Sequence, residues 1–208
     1  MPIVDQIDKS LMDKKAYNLL VSVEFAMKQI KNRFEAIEKE VCSHHISPDH
    51  LISLGWDMID WSEKLRKLLE VGRGFKKKDD WCKRILAELE DLKNVRHFIQ
   101  HFDGEVGRSE QSYLNLIGSL DVVLDASFYP KKYLWSFHIG NTVDLAVLQQ
   151  QSRAFNCNMA EMAGVILKSA SLSLAGKDIN LKELRSHVGR AQHELDNYLL
   201  NNYFKYPK

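Results

Sequence analysis

The feature that most constrains the fold is an apolar stripe. Leu20, Val23, Met27, Ile30, Phe34, Ile37 and Val41 recur alternately three and four positions apart, which places them on one face of an α-helix. With its lead-in from about Ser10, this helix is expected to be about 45 Å long at 1.5 Å per residue. A break follows at Cys42-Ser43-His44-His45-Ile46. Ser47-Pro48-Asp49 then reads as an N-cap followed by proline at the first helical position, where its missing N–H costs nothing. The second helix carries Leu51, Leu54, Met58, Trp61, Leu65 and Leu68 on one stripe and stops near Gly72. After a linker from Arg73 to Lys78, Asp79 and Asp80 favour a helix start electrostatically. The third stripe is Trp81, Ile85, Leu89, Leu92, Val95, Ile99 and Phe102, with Gly104 placed to end the helix. Short connections make consecutive helices antiparallel, so residues 1–104 are expected to form a three-helix hairpin core. An intermolecular coiled coil is the alternative, opposed by Phe, Met and Trp on the stripes and by the breaks between them.

The period changes in the middle. Leu120, Val122 and Leu124 alternate with other residues, and after Tyr129-Pro130 so do Tyr133, Trp135, Phe137 and Ile139. A β-hairpin is expected across about 115–140, within an elaboration spanning 113–150. Residues 141–152 fit a third strand through Val143, Leu145 and Val147, or a helix through their glutamines. Asn158 with Glu161 resembles a capping box, predicting a helix that ends near Gly176. A last helix is expected from about Asn180, with Leu181, Leu184, Val188, Ala191, Leu195 and Tyr198 on its stripe. Residues 158–204 are thus read as C-terminal helices. Without repeats or domain linkers, residues 1–208 read as a single, mainly α domain: an antiparallel helical bundle with a small β-hairpin elaboration.

Composition narrows the class of partner. Hydrophobic residues are 45% and charged residues 27% of the chain, which suits a packed domain rather than disorder. A net charge of +1 neither predicts nor excludes nucleic acid, because a basic patch can sit inside a neutral total. Cys42, Cys82 and Cys157 are odd in number and widely spaced, which argues for reduced thiols. The N-terminus, acidic early at Asp5, shows no apolar stretch of signal-peptide length, and no window reaches the roughly 18 apolar residues of a spanning helix. A cytoplasmic location with no membrane partner is the expectation.

Several catalytic templates are absent: a glycine-rich phosphate loop, a cysteine pair for zinc, and a Gly-x-Ser-x-Gly turn. His97 and His101 stand four apart as in zinc proteases, but Phe98 occupies the position of that motif's general-base Glu. His44, His45 and His50 with His97 or His101 could ligate a transition metal, but scattered loop histidines seldom do. No metal and no cofactor are expected.

What remains is Arg96-His97-Phe98-Ile99-Gln100-His101, followed by Phe102-Asp103. An arginine, four intervening residues and a histidine near the end of a bundle helix resemble the signature of HEPN domains (higher eukaryote and prokaryote nucleotide-binding). Leu92-Lys93-Asn94-Val95 before the motif also looks like that family. The resemblance covers the third helix closely and the helical architecture loosely, and leaves 115–175 uncovered. His97 stands where active members often carry Asn.

The resemblance implies a metal-independent endoribonuclease, possessing the properties of a toxin or defence effector with an antitoxin or other partner protein. The RNA 2′-hydroxyl would attack the adjacent phosphate, leaving a cyclic phosphate and a 5′-hydroxyl. His101 would transfer protons, and Arg96 would hold the phosphate bidentately. His97 and Asp103 would support them, and a homodimer would bring two motifs into one cleft.

The residues themselves add detail. With Gly104 ending the helix, His101 lies in the last turn, where the dipole favours imidazolium. Antiparallel packing also predicts that His44, His45 and His50 approach this end. Residues five apart diverge by about 140° on an ideal helix, so Arg96 and His101 share a phosphate only if the helix end distorts or a second protomer contributes. Arg96 projects close to the apolar stripe and in the direction of Asp103, so a purely structural ion pair competes with catalysis. His97 alone reads more readily as a surface or interface histidine. Arg73, Lys76, Lys77 and Lys78, with Phe75 between them, could contact an RNA backbone. They lie about 30 Å from His101 by helix rise, and a solvated loop explains them more simply. Trp61, Trp81 and Trp135 read as core aromatics. A non-catalytic module for dimerisation or for binding a partner or nucleotide is the alternative function.

Overall fold

The computed structural model describes residues 7, 9–42, 47–71, 80–90, 92–100, 118–126, 132–138, 165–174 and 177–203. After a 3-10 turn at Lys9–Leu11, α1 spans Lys14–Val41. Asp13 caps it, its carboxylate accepting from the Lys15 and Ala16 amides at 2.7 and 2.9 Å. Every residue of the expected α1 stripe is buried.

The second helix, α2 (Pro48–Val71), starts on the expected proline. The Ser47 carbonyl accepts from the Leu51 amide at 3.0 Å, and the Ser47 hydroxyl accepts from the His50 amide at 3.4 Å. Its buried face is wider than the single stripe. Ile52, Ile59 and Leu69 are fully buried, while Trp61 and Leu68 are only partly so. The cause is its central position, with α1 on one side and further helices and strands on others. The expected third helix is described as α3 (Asp80–Glu90) and α4 (Leu92–Gln100), with Asp91 between them outside the described residues. Trp81, Ile85, Leu89, Leu92 and Val95 are buried along them as the stripe requires.

The β region departs furthest from expectation. The hairpin forms, with β1 (Ser119–Ala126) antiparallel to β2 (Lys132–His138) and Val122 opposite Trp135. It is part of a four-stranded antiparallel sheet of order β2-β1-β3-β4, in which β3 is Val165–Leu174 and β4 is Lys177–Asn180. The helix expected up to Gly176 is therefore corrected to a strand over 165–174; residues 141–157, and the supposed cap at Asn158, lie outside the described residues. Ala170, Leu172 and Leu174 alternate inward with serines between them. A register irregularity opposite Val123/Leu124 leaves Leu167 and Ala170 both buried three residues apart. A bulge of this kind mimics helical spacing.

Asn180 caps α5 (Leu181–Tyr203), its side-chain oxygen accepting from the Glu183 amide at 3.0 Å. Leu181, Leu184, Val188, Ala191 and Leu195 are buried as expected, and Leu199 completes the face in place of the half-buried Tyr198. The sheet packs its Leu120, Val122, Leu124 and Leu172 side toward the helices, joining one continuous core. The approach is close at Gly55 of α2, where an added Cβ would stand 3.3 Å from Leu172.

Gly118 precedes β1 with φ +93°, and a Cβ there would meet the Ser173 carbonyl oxygen at 2.5 Å. Gly118→Ala is expected to destabilise the chain by more than about 1 kcal/mol, read as a lower urea midpoint with unchanged slope.

Candidate functional site around Arg96

Two cross-helix pairs fix how α3 and α4 lie on α2. Arg66 reaches Glu90 at 3.2 Å, and Arg96 reaches Asp60 at 2.9 Å. Residue numbers rise on one side as they fall on the other, so α3 and α4 run antiparallel to α2. Burial of the adjacent Val95 anchors α4 and leaves Arg96 at the rim of the core, with 16% of its side chain exposed.

Arg96 donates through Nε to Oδ1 of Asp60, which fixes the guanidinium plane. Its terminal nitrogens make no hydrogen bond among the described residues. Asp60 also receives Lys64 on Oδ2 at 2.6 Å, so two cations share one carboxylate and the group keeps a net positive charge. Burial pushes the Asp60 carboxyl up, but hydrogen bonds and charge from Lys64 and Arg96 outweigh it and hold the pKa below its ordinary value. The arrangement can accept an anion on the free edge of Arg96.

Beside this pair lies a buried network. Glu63 and Arg66 are 2% and 4% exposed and pair bidentately at 2.6 and 2.9 Å. Glu70 and Glu90 add further acceptors to Arg66. The Arg66 hydrogen bond lowers the Glu63 pKa against the opposing effect of burial. Sequence reasoning singled out neither Asp60 nor this network. The i,i+3 and i,i+4 spacings Asp60–Lys64, Glu63–Arg66 and Arg66–Glu70 were signals for it.

Of the other expected residues, His97 is exposed on α4. His101 and Asp103 lie outside the described residues, as do Arg73, Lys76, Lys77 and Lys78. His44 and His45 also lie outside. His50 is exposed and hydrogen-bonds Glu40 through Nδ1. Among the described residues no group of three or more His, Cys, Asp or Glu could hold a metal ion. Cys42 and Cys82 form no disulfide among the described residues, and Cys82 is buried. Trp61 is partly buried and packs against the core, and Trp81 is buried. No described helix is long and apolar enough to cross a membrane.

No family model, curated protein or solved structure matches this chain. The site therefore stands on its own geometry.

A second polar cluster joins α3 to α5. His187 Nδ1 lies 3.0 Å from Glu88, its Nε2 lies 3.6 Å from Glu183, and Arg84 is bidentate to Glu194 at 2.7 and 2.8 Å. His187 and Arg84 each face a carboxylate of the other helix, so the cluster fastens the two helices.

Asp60 and Glu63 set an acid limit on stability. Both have folded pKa values below their unfolded ones of about 3.9 and 4.3. Their stabilisation is present above those unfolded values and is lost as pH falls through the lower folded values. Urea midpoints are expected to change little between about pH 7 and 5 on this account and to drop below about pH 4. In Asp60→Asn that acid drop should be smaller.

Proposed function

We propose that this chain is a metal-independent endoribonuclease of HEPN type. The observation that supports this most is the Arg96 guanidinium, anchored through Nε by Asp60 with its terminal nitrogens uncommitted among the described residues. A fork held in that way is preorganised for two phosphate oxygens. Lys64 beside it keeps the local charge positive after Asp60 is counted.

In this reading Arg96 binds the scissile phosphate and offsets the charge that builds up on it during attack by the 2′-hydroxyl. His101, the residue after the last described position of α4, transfers the proton. The ideal-helix divergence of Arg96 and His101 is met by a homodimer, in which the partner subunit supplies the complementary group. His97 and Asp103 support the site, and Arg73, Lys76, Lys77 and Lys78 serve as backbone contacts for longer RNA. A toxin or defence role, held in check by an antitoxin, follows from such an activity.

The Asp60–Arg96 ion pair also favours a second reading, because it gives Arg96 a structural purpose without catalysis. Under it the bundle is a dimerisation or partner-binding or nucleotide-binding module.

Growth on induced expression separates the two. Wild type is expected to arrest growth, and His101→Ala at equal soluble level to be tolerated. Equal tolerance of both proteins favours the binding module.

A further inference from the structure

Away from Arg96, one face of the bundle leaves large apolar side chains in solvent. Val21 and Phe25 of α1 are 40% and 50% exposed, and Val71 at the end of α2 is 77% exposed. Val21 and Phe25 form a ridge between two grooves. One, of about 540 Å³, lies between α1 and α5 and includes Met27 and Val188. The other, of about 610 Å³, lies between α1 and α2 and includes Leu19, Trp61, Leu68 and Val71. The ridge is braced, since the Phe25 ring meets Trp61 edge-on with centroids 5.4 Å apart. Lys64 in turn sits 4.1 Å from the centre of the Trp61 ring.

The charge around these grooves has one dominant sign. Lys28, Lys31 and Arg185 line the first, and Lys64 and Lys67 the second. Glu24 is the one acid among the described lining residues of both. Lys31, Lys64 and Lys67 have acidic neighbours on their own helices, at 3.7, 2.6 and 3.9 Å. Lys28 and Arg185 have no ion pair among the described residues. An apolar trough with a cationic rim asks for an apolar stripe flanked by acids.

We propose that this face docks an acidic amphipathic helix from another protein. A helix about 10–12 Å across can lay its i, i+3, i+4 and i+7 apolar residues beside the Phe25 ridge. Its flanking Glu and Asp residues then meet Lys28, Arg185 and Lys67, which sets partner choice and association rate. A second copy of this chain would set cationic rim against cationic rim. A lipid surface would meet the Phe25 ridge but leave the grooves on either side of it unfilled. RNA gains little from the aliphatic walls of Leu19, Val21, Leu68 and Val71. The face is next to the Arg96 site through Lys64, which touches both Trp61 and Asp60, but its occupancy does not depend on RNA cleavage.

The test uses two fluorescent helical peptides about five turns long, with the same leucine stripe, flanked by Glu in one and by Lys in the other. Full-length protein is titrated into each and anisotropy is read. The Glu peptide is expected to bind, and to weaken as salt rises. The double variant Lys28→Glu/Arg185→Glu should weaken it by about tenfold or more, as two exposed charge contacts become repulsive. Both residues are exposed and have no ion pair among the described residues, so this variant keeps the fold, which circular dichroism verifies. Phe25→Asp should weaken binding as well. Equal binding of both peptides, or no binding of the Glu peptide, overturns the proposal. So does preferential binding to phosphatidylserine vesicles, or loss of a wild-type dimer in Phe25→Asp, which would assign the face to a membrane or to a second copy.

Discussion

Arg66→Ala is expected to destabilise the chain by about 3–5 kcal/mol, more than other single changes in the polar network. Arg66 is the hub of a network whose Glu63–Arg66 centre the core encloses, while Glu70 and Glu90 reach solvent. It gives two hydrogen bonds to Glu63 and one each to Glu70 and Glu90. Removing it leaves the Glu63 carboxylate 2% exposed, with only Lys67 near it, at 3.9 Å, among its described ion partners. An uncompensated buried carboxylate must either stay charged at high cost or take up a proton. For a chain of this size the thermal midpoint should fall by about 10 °C. Replacing the pair together, Glu63→Leu with Arg66→Met, removes both charges and keeps the volume, so most of the loss should disappear. Calorimetry on the single and double variants checks both statements. If Arg66→Ala unfolds like wild type, the network is not the buried clamp described.

Arg96→Ala is expected to reduce RNA cleavage by about 10²–10³-fold, the scale of losing one charged stabiliser of a transition state. Arg96→Lys should recover little, because an ammonium has no fixed fork to share between Asp60 and a phosphate. The loss should fall mainly on kcat, since the charge that Arg96 offsets grows during attack. A purely structural Arg96 makes the opposite prediction: a stability loss from the broken Asp60 pair and no effect on turnover in the folded fraction. Single-turnover cleavage alongside a urea titration for each variant separates these.

The helical part of the fold was legible because its signals are local. The α1 stripe, Pro48 at the start of α2, and Asn180 before α5 each depend on neighbours within about one turn. Strand β3 was misread for the same reason. The Ala170, Leu172, Leu174 alternation is a β signal, but the irregularity before it put Leu167 and Ala170 at a helix-like spacing. Only pairing with β1, some forty residues earlier in the chain, resolves that ambiguity. The site shows the same division. Arg96 stood out through its spacing from His101, and a structural ion pair was foreseen for it. Asp103 was considered as its mate, whereas the described partner is Asp60 on α2. A cross-helix pairing 36 residues apart depends on how α4 lies on α2, which no periodicity in α4 encodes. The basic-rimmed face was hidden in a similar way. Val21, Phe25, Val71 and Arg185 come from three helices, and each is unremarked until those helices assemble.

The most direct test of the ribonuclease reading is incubation of labelled RNA with purified protein in excess EDTA, comparing wild type, Arg96→Ala and His101→Ala. Cleavage by wild type alone, leaving 2′,3′-cyclic phosphate and 5′-hydroxyl ends, is the predicted result. Three folded proteins that are equally inert, or wild-type cleavage that EDTA abolishes, would contradict it.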